Sequence, residues 1–171
     1  MMTKHRGITL VEMLVVMAVI AAIAGIIYPV TRSLVGNARE ASCLNNLRSL
    51  GTALEGYLQD NNRIMPTLKV GRASKSEDVP VLETVLLPYV QTPDAFRCPA
   101  DSMQFDKSGS SYLWVFLVNG DPADKLTLFN NDSRPDRIPL ITDKEAWHPN
   151  GTNFLYADYS STSKTRFVVG N

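Results

Sequence analysis

The sequence predicts an α+β fold in which one long N-terminal helix packs on a small antiparallel sheet. Three observations lead there. The stretch Ile8–Val30 is almost wholly apolar, and beyond it Leu34, Ala38, Ala41, Leu44, Leu47, Leu50, Leu54 and Leu58 recur at helical spacing. Short apolar stretches bounded by turn residues then follow, from Ser111 onward. Neither the stripe of such a helix nor one face of such a sheet can stay wet, so each is expected to cover the other.

The elements follow in order. Residues 1–7 form a short basic leader containing Lys4, His5 and Arg6. Residues 8–30 are long enough, at about 1.5 Å per residue, to cross a hydrocarbon core of about 30 Å as a helix. Lys4 and Arg6 precede this span with no acid beside them, so the N-terminus is expected to be cytoplasmic and the rest of the chain exported. Residues 31–62 continue the helix in amphipathic form, with Arg32, Arg39, Glu40, Arg48, Glu55 and Gln59 mostly on other faces, and Asp60-Asn61-Asn62 and Pro66 end it. Pro29 predicts a kink or a local melt within one helix, with Gly25 and Gly36 on either side of it.

Residues 63–171 are expected to form the globular head. Lys69–Asp78 reads as a loop, and Asp78 with Pro80 offers a start for a short second helix carrying Val81, Leu82, Val85, Leu86 and Tyr89. Ser111–Val118 and Ile138–Thr142 read as strands. Asn153–Ala157 and Thr165–Val169 read as a hairpin around the polar turn Asp158–Lys164.

Glu12 stands out, because a carboxylate within an apolar span costs up to about 2.5–3.5 kcal/mol on insertion scales. No lysine or arginine occurs in Ile8–Val30. A cut after Gly7 would place a new cationic amino group on Ile8, and one subunit's Glu12 could neutralise the amino terminus of its neighbour. A secretory signal peptide is the competing reading, since Ala22-Ile23-Ala24 before Gly25 offers a small-residue cleavage site; Glu12 inside the apolar region argues against it. An ordinary uncut anchor leaves Glu12 unexplained.

Gly7 followed by Ile8-Thr9-Leu10-Val11-Glu12 and an unbroken apolar stretch resembles the class III signal of type IV pilins and type II secretion pseudopilins. The resemblance implies a pilin-like fold, cleavage between Gly7 and Ile8 by a membrane prepilin peptidase, N-methylation of Ile8, and Glu12 as the fifth mature residue. Pro29 falls where pilins often carry a helix-loosening proline, whereas Ile8 departs from the more usual phenylalanine. Three further stretches are similar to large pseudopilin-like families of planctomycete and verrucomicrobial type: Ala41–Leu54 with Tyr57 and Asp60-Asn61, the element Phe96-Arg97-Cys98-Pro99-Ala100-Asp101, and His148–Asp158. In the last, Tyr159-Ser160 replaces the Gly-His that would follow the acid.

The whole chain of 171 residues has 17 basic and 17 acidic side chains; without residues 1–7 the balance is 15 to 17. No basic stripe with interleaved aromatics is present, so no nucleic acid is expected as a partner. Cys43 and Cys98 are the only cysteines, and on an oxidising side of the membrane a disulfide is the leading reading, with reduced buried thiols as the alternative. His148 with Asp143, Glu145 and Asp158 is the one cluster to weigh for catalysis or zinc. It offers no assembled nucleophile, base and orienting group, so no enzyme is expected, and His148 is read as a structural residue hydrogen-bonded near Asp158.

No cofactor is expected from the residues themselves. Resemblance to major pseudopilins, which hold calcium in C-terminal loops, makes Asp121, Asp124, Asp132 and Asp136 weak calcium candidates, though their spacing fits no EF-hand loop and Arg134 and Arg137 lie among them. The expectation is a single-pass protein of the bacterial inner membrane with a periplasmic head, assembling into a filament of a type II secretion system. Its expected partners are prepilin peptidase, other pilin-like subunits, an inner-membrane assembly platform and membrane lipid. An adhesive or DNA-uptake pilin, and a membrane-tethered or secreted ligand-binding domain, are the alternatives.

Overall fold

The structure is a computed structural model that describes residues 10–128 and 133–167. Gly7, Ile8, Asp132, Val168 and Val169 lie outside the described residues. Helix α1 spans Leu10–Asp60, and Pro29 within it removes one backbone hydrogen bond from its ladder. The chain divides into two units, Met1–Gly36 and Asn37–Asn171.

In the first unit every described residue through Val35 is exposed. The side chains there are large and apolar on all sides, Leu10, Leu14, Ile20, Ile26 and Val30 among them. Thr31 Oγ1 donates to the Ile27 carbonyl at 2.9 Å, and the Arg32 guanidinium lies over the Tyr28 ring at 5.2 Å. A helix apolar all round requires lipid or protein around it.

In the second unit, α1 buries Cys43, Leu47, Leu50, Leu54 and Leu58 along one stripe. A four-stranded antiparallel sheet in the order β1-β2-β3-β4 covers it: β1 Tyr112–Trp114, β2 Pro139–Asp143, β3 Phe154–Tyr156 and β4 Ser161–Thr162. Leu140, Ile141, Leu155, Tyr112 and Trp114 of the sheet share one core with the helix stripe. Gly51 marks the closest approach, since a Cβ there would lie 3.1 Å from Tyr159 and 3.3 Å from Leu155.

Several expected elements are shorter or displaced. The second helix, α2, is only Leu82–Val85, followed by a 3-10 turn at Leu87–Tyr89. Its cap is Val81, whose N–H donates to Thr84 Oγ1 at 3.0 Å, so Asp78 does not cap it. A third helix, α3, Gln104–Ser108, was not expected; Asp101 supplies its start from outside the apolar pattern. Strand β1 ends at Trp114, and Phe116–Val118 turns into a 3-10 segment because Asn119 draws the chain back. Asn119 Oδ1 accepts from Trp114 Nε1 at 2.7 Å, and its Nδ2 donates to the Leu68 carbonyl at 2.8 Å. Among the described residues the last strand is Ser161–Thr162, and Thr165, Arg166 and Phe167 of the expected strand lie outside any strand, because the hairpin turn is tight: Tyr156 N–H donates to Ser160 O at 2.9 Å.

That turn carries Tyr159 at φ +61°, a left-handed conformation costing a non-glycine residue about 1–2 kcal/mol. It is the position at which the resembling families carry glycine. The hydroxyl of Tyr159 donates to Glu55 Oε2 at 2.6 Å, Arg63 Nη1 holds the other Glu55 oxygen at 2.6 Å, and the ring packs where Gly51 leaves room. The tyrosine thus offsets its backbone strain with a helix-to-hairpin clamp. Tyr159→Phe is expected to lower head stability by about 1–2 kcal/mol, read from the urea midpoint of the full chain in detergent.

Candidate functional site

Two features concentrate chemistry. The first is the apolar N-terminal half of α1, where Glu12 sits exposed in the first turn of the described helix.

The second is a buried cluster in the head where three separate stretches of sequence meet. Cys43 of α1 is joined to Cys98 by a disulfide, with Cα atoms 5.1 Å apart. Asn46, one turn further along α1, donates to the Arg97 carbonyl at 2.7 Å and so holds the Cys98 segment against the helix a second time. His148 arrives from the turn after β2, its Nε2 lying 3.3 Å from Cys98 Sγ and 3.5 Å from Asp143 Oδ2. Asn153 N–H donates to that same Asp143 oxygen at 2.8 Å, and Asn150 Nδ2 reaches the buried Glu40 carboxylate at 3.1 Å.

Burial is the largest influence on both members of the Asp143–His148 contact. It pushes the Asp143 carboxyl up to about 7, against hydrogen bonds from Asn153 and with help from the Glu40 charge. It also pulls His148 below the usual imidazole range, which Glu40 partly opposes. Burial therefore works against both charges, and the contact is held by packing more than by ion pairing.

Asp101 anchors the Cys98 loop. Its Oδ1 accepts from the backbone of Met103 and Gln104 at 2.8 and 2.7 Å; its Oδ2 accepts from the Phe105 backbone at 2.7 Å and Ser111 Oγ at 2.6 Å. Ser111 Oγ in turn accepts from Cys98 N–H at 2.9 Å. Burial alone would raise the Asp101 pKa, but these bonds outweigh it and hold the carboxyl below the usual range. Stability from Asp101 is therefore full above its unfolded value, about 3.9, and is lost as pH falls through the lower folded one. Asp143 has the opposite sign: its contribution is full below its unfolded value and is lost as pH rises through about 7. Asp101→Asn is expected to cost about 1–3 kcal/mol at neutral pH and to flatten the acid limb of the stability profile, measured by urea unfolding between about pH 3 and 7.

The sequence places His148 beside Asp158, and the structure corrects this. Asp158 pairs with Arg166 at 3.8 Å and accepts from Ser160, while His148 faces Asp143 and the disulfide. Glu145 is bound by Gln104 and Trp147 at the surface. Asp121, Asp124 and Asp136 form no group of three ligand atoms among the described residues.

Comparison with known proteins places these features. Residues 2–28 match the prokaryotic N-terminal methylation motif. Over 147 residues the chain is 30% identical to type II secretion system core protein G of Pectobacterium carotovorum subsp. carotovorum, covering 82% of each chain. The chain belongs to the type II secretion pseudopilins. No solved structure matches it. The pseudopilin is a structural, pilin-like subunit, and its motif and apolar helix point to membrane anchoring. Its head cluster joins the Cys43, Cys98–Asp101 and His148–Asn153 stretches. What sequence reasoning missed was Glu40 with Asn150 and the role of Asn119. Only the closeness of Cys98 to Asp101 in sequence signalled a shared loop.

Proposed function

We propose that this pseudopilin is held in the bacterial inner membrane with its N-terminus cytoplasmic and its head periplasmic. Prepilin peptidase cuts between Gly7 and Ile8, Ile8 is N-methylated, and the chain joins other pilin-like subunits on an inner-membrane platform. The assembled filament serves protein secretion as a non-enzymatic structural element. The observation that carries this reading is the contrast within α1: the largely apolar surface from Leu10 to Val30 is exposed, while the helix stripe from Cys43 to Leu58 is already covered. Lipid covers the first surface before assembly, and the same surface of neighbouring subunits replaces lipid afterwards. Glu12 enters that interface and sets register by meeting an adjacent amino terminus.

A photo-crosslinking residue at Ile23 tests this in cells. Chain-to-chain adducts are expected only when the assembly ATPase and platform are present. Adducts to lipid alone under those conditions would leave a tethered domain as the better description.

A further inference from the structure

The head cluster holds more chemistry than a disulfide needs. Among the described residues, Cys43, Cys98 and His148 are the only group of at least three whose ligand atoms all lie within 4.8 Å of one another, and all three are buried. Around a tetrahedral zinc, bonds of about 2.0–2.3 Å put neighbouring ligand atoms about 3.3–3.8 Å apart. His148 Nε2 is 3.3 Å from Cys98 Sγ and 3.5 Å from Asp143 Oδ2, so two edges of such a tetrahedron already exist. Opening the sulfur–sulfur bond frees both thiol side chains to rotate toward the remaining edges.

The oxidised cluster serves His148 poorly. Its Nε2 lies 3.3 Å from Cys98 Sγ, and a disulfide sulfur is a weak hydrogen-bond acceptor. Outer contacts for a metal site are nevertheless in place: Asn153 N–H on Asp143 Oδ2 and Ser111 Oγ on Cys98 N–H fix two of the donors.

We propose that reduction of Cys43–Cys98 converts this cluster into a zinc site whose ligands are both cysteine sulfurs, His148 Nε2 and Asp143 Oδ2. A dithiol reductant supplies two electrons and two protons, leaving two thiols in the head and a disulfide in the reductant. Zinc then displaces both thiol protons to water and binds the thiolates. Oxidation and zinc thus become alternative staples for the same two segments, one usable in each redox state.

The test uses the full chain in detergent, reduced with a non-chelating phosphine and titrated with cobalt(II) alone. One cobalt per reduced chain is expected, with thiolate-to-metal charge transfer and the intense visible bands of tetrahedral coordination. Zinc should bleach them, and the oxidised chain should show none. His148→Ala and Asp143→Asn should each weaken binding by about tenfold or more, since even outer contacts of metal sites are worth that much. Circular dichroism establishes that each variant is folded, and His148→Gln replaces the alanine variant if that one is not. A reduced chain without charge transfer, folded or not, overturns the proposal, and so does equal affinity in a folded His148 variant.

Discussion

Glu12→Ala is expected to leave membrane insertion intact and to cripple filament incorporation, reducing assembled protein by tenfold or more on the order-of-magnitude scale of a broken buried pair, about 3–5 kcal/mol. Insertion should not suffer, because removing a carboxylate from an apolar span removes a cost of up to about 2.5–3.5 kcal/mol. Assembly is different. When the exposed apolar surface around Leu10, Leu14 and Ile20 closes against neighbours, Glu12 passes from the lipid-facing surface into protein. A carboxylate there is tolerated when it meets a cation, and under the proposed processing the amino group of a cut and methylated Ile8 would supply one at the same end of the helix. Without Glu12 that amino terminus would be buried unopposed. Sheared filaments compared with total membranes give the measurement, and normal incorporation of the alanine variant would remove the pairing from the account.

Loss of the Cys43–Cys98 bond is expected to have the largest effect on the head itself. The cysteines are 55 residues apart, and closing a loop of that size is worth roughly 4 kcal/mol in the chain-entropy treatment. Cys98→Ser also leaves a hydroxyl in a fully buried position beside His148 and Asp143. Unfolding in urea under oxidising, metal-free conditions should show a midpoint shift of that size relative to wild type. Since Asn46 of α1 also holds the same loop through the Arg97 carbonyl, a shift well below about 2 kcal/mol would mean that this bond, and not the disulfide, fastens it to α1.

The broad architecture was legible because its signals are periodic. The stripe from Leu44 to Leu58 repeats at helical spacing, and the helix ends at Asp60, just before the polar break at Asn61-Asn62. Strands β2 and β3 lie within a residue of their expected ranges because each is a short apolar run between turn residues. Elements set by side-chain capping were not legible. Helix α3 exists because Asp101 collects three backbone N–H groups, and β4 exists because the turn at Tyr159 is tighter than its polar composition suggested. Asp143 was among the acids grouped with His148, but it could not be told from Asp158 as its partner for a related reason. Strand pairing places Asp143 opposite Asn153, and the loop between them folds its histidine back over β2, so the nearest acid is one that precedes it in sequence. The buried Glu40 could not be told from its exposed neighbours on α1, because its partner, Asn150, lies 110 residues away.

Prepilin processing is proposed to free the N-terminal helix as an assembly element. The N-terminus and intact mass of the mature protein from its own membranes report on this directly. A chain beginning with N-methylated Ile8 is expected; a chain beginning at Met1, Met2 or Gly25 would rule the processing out.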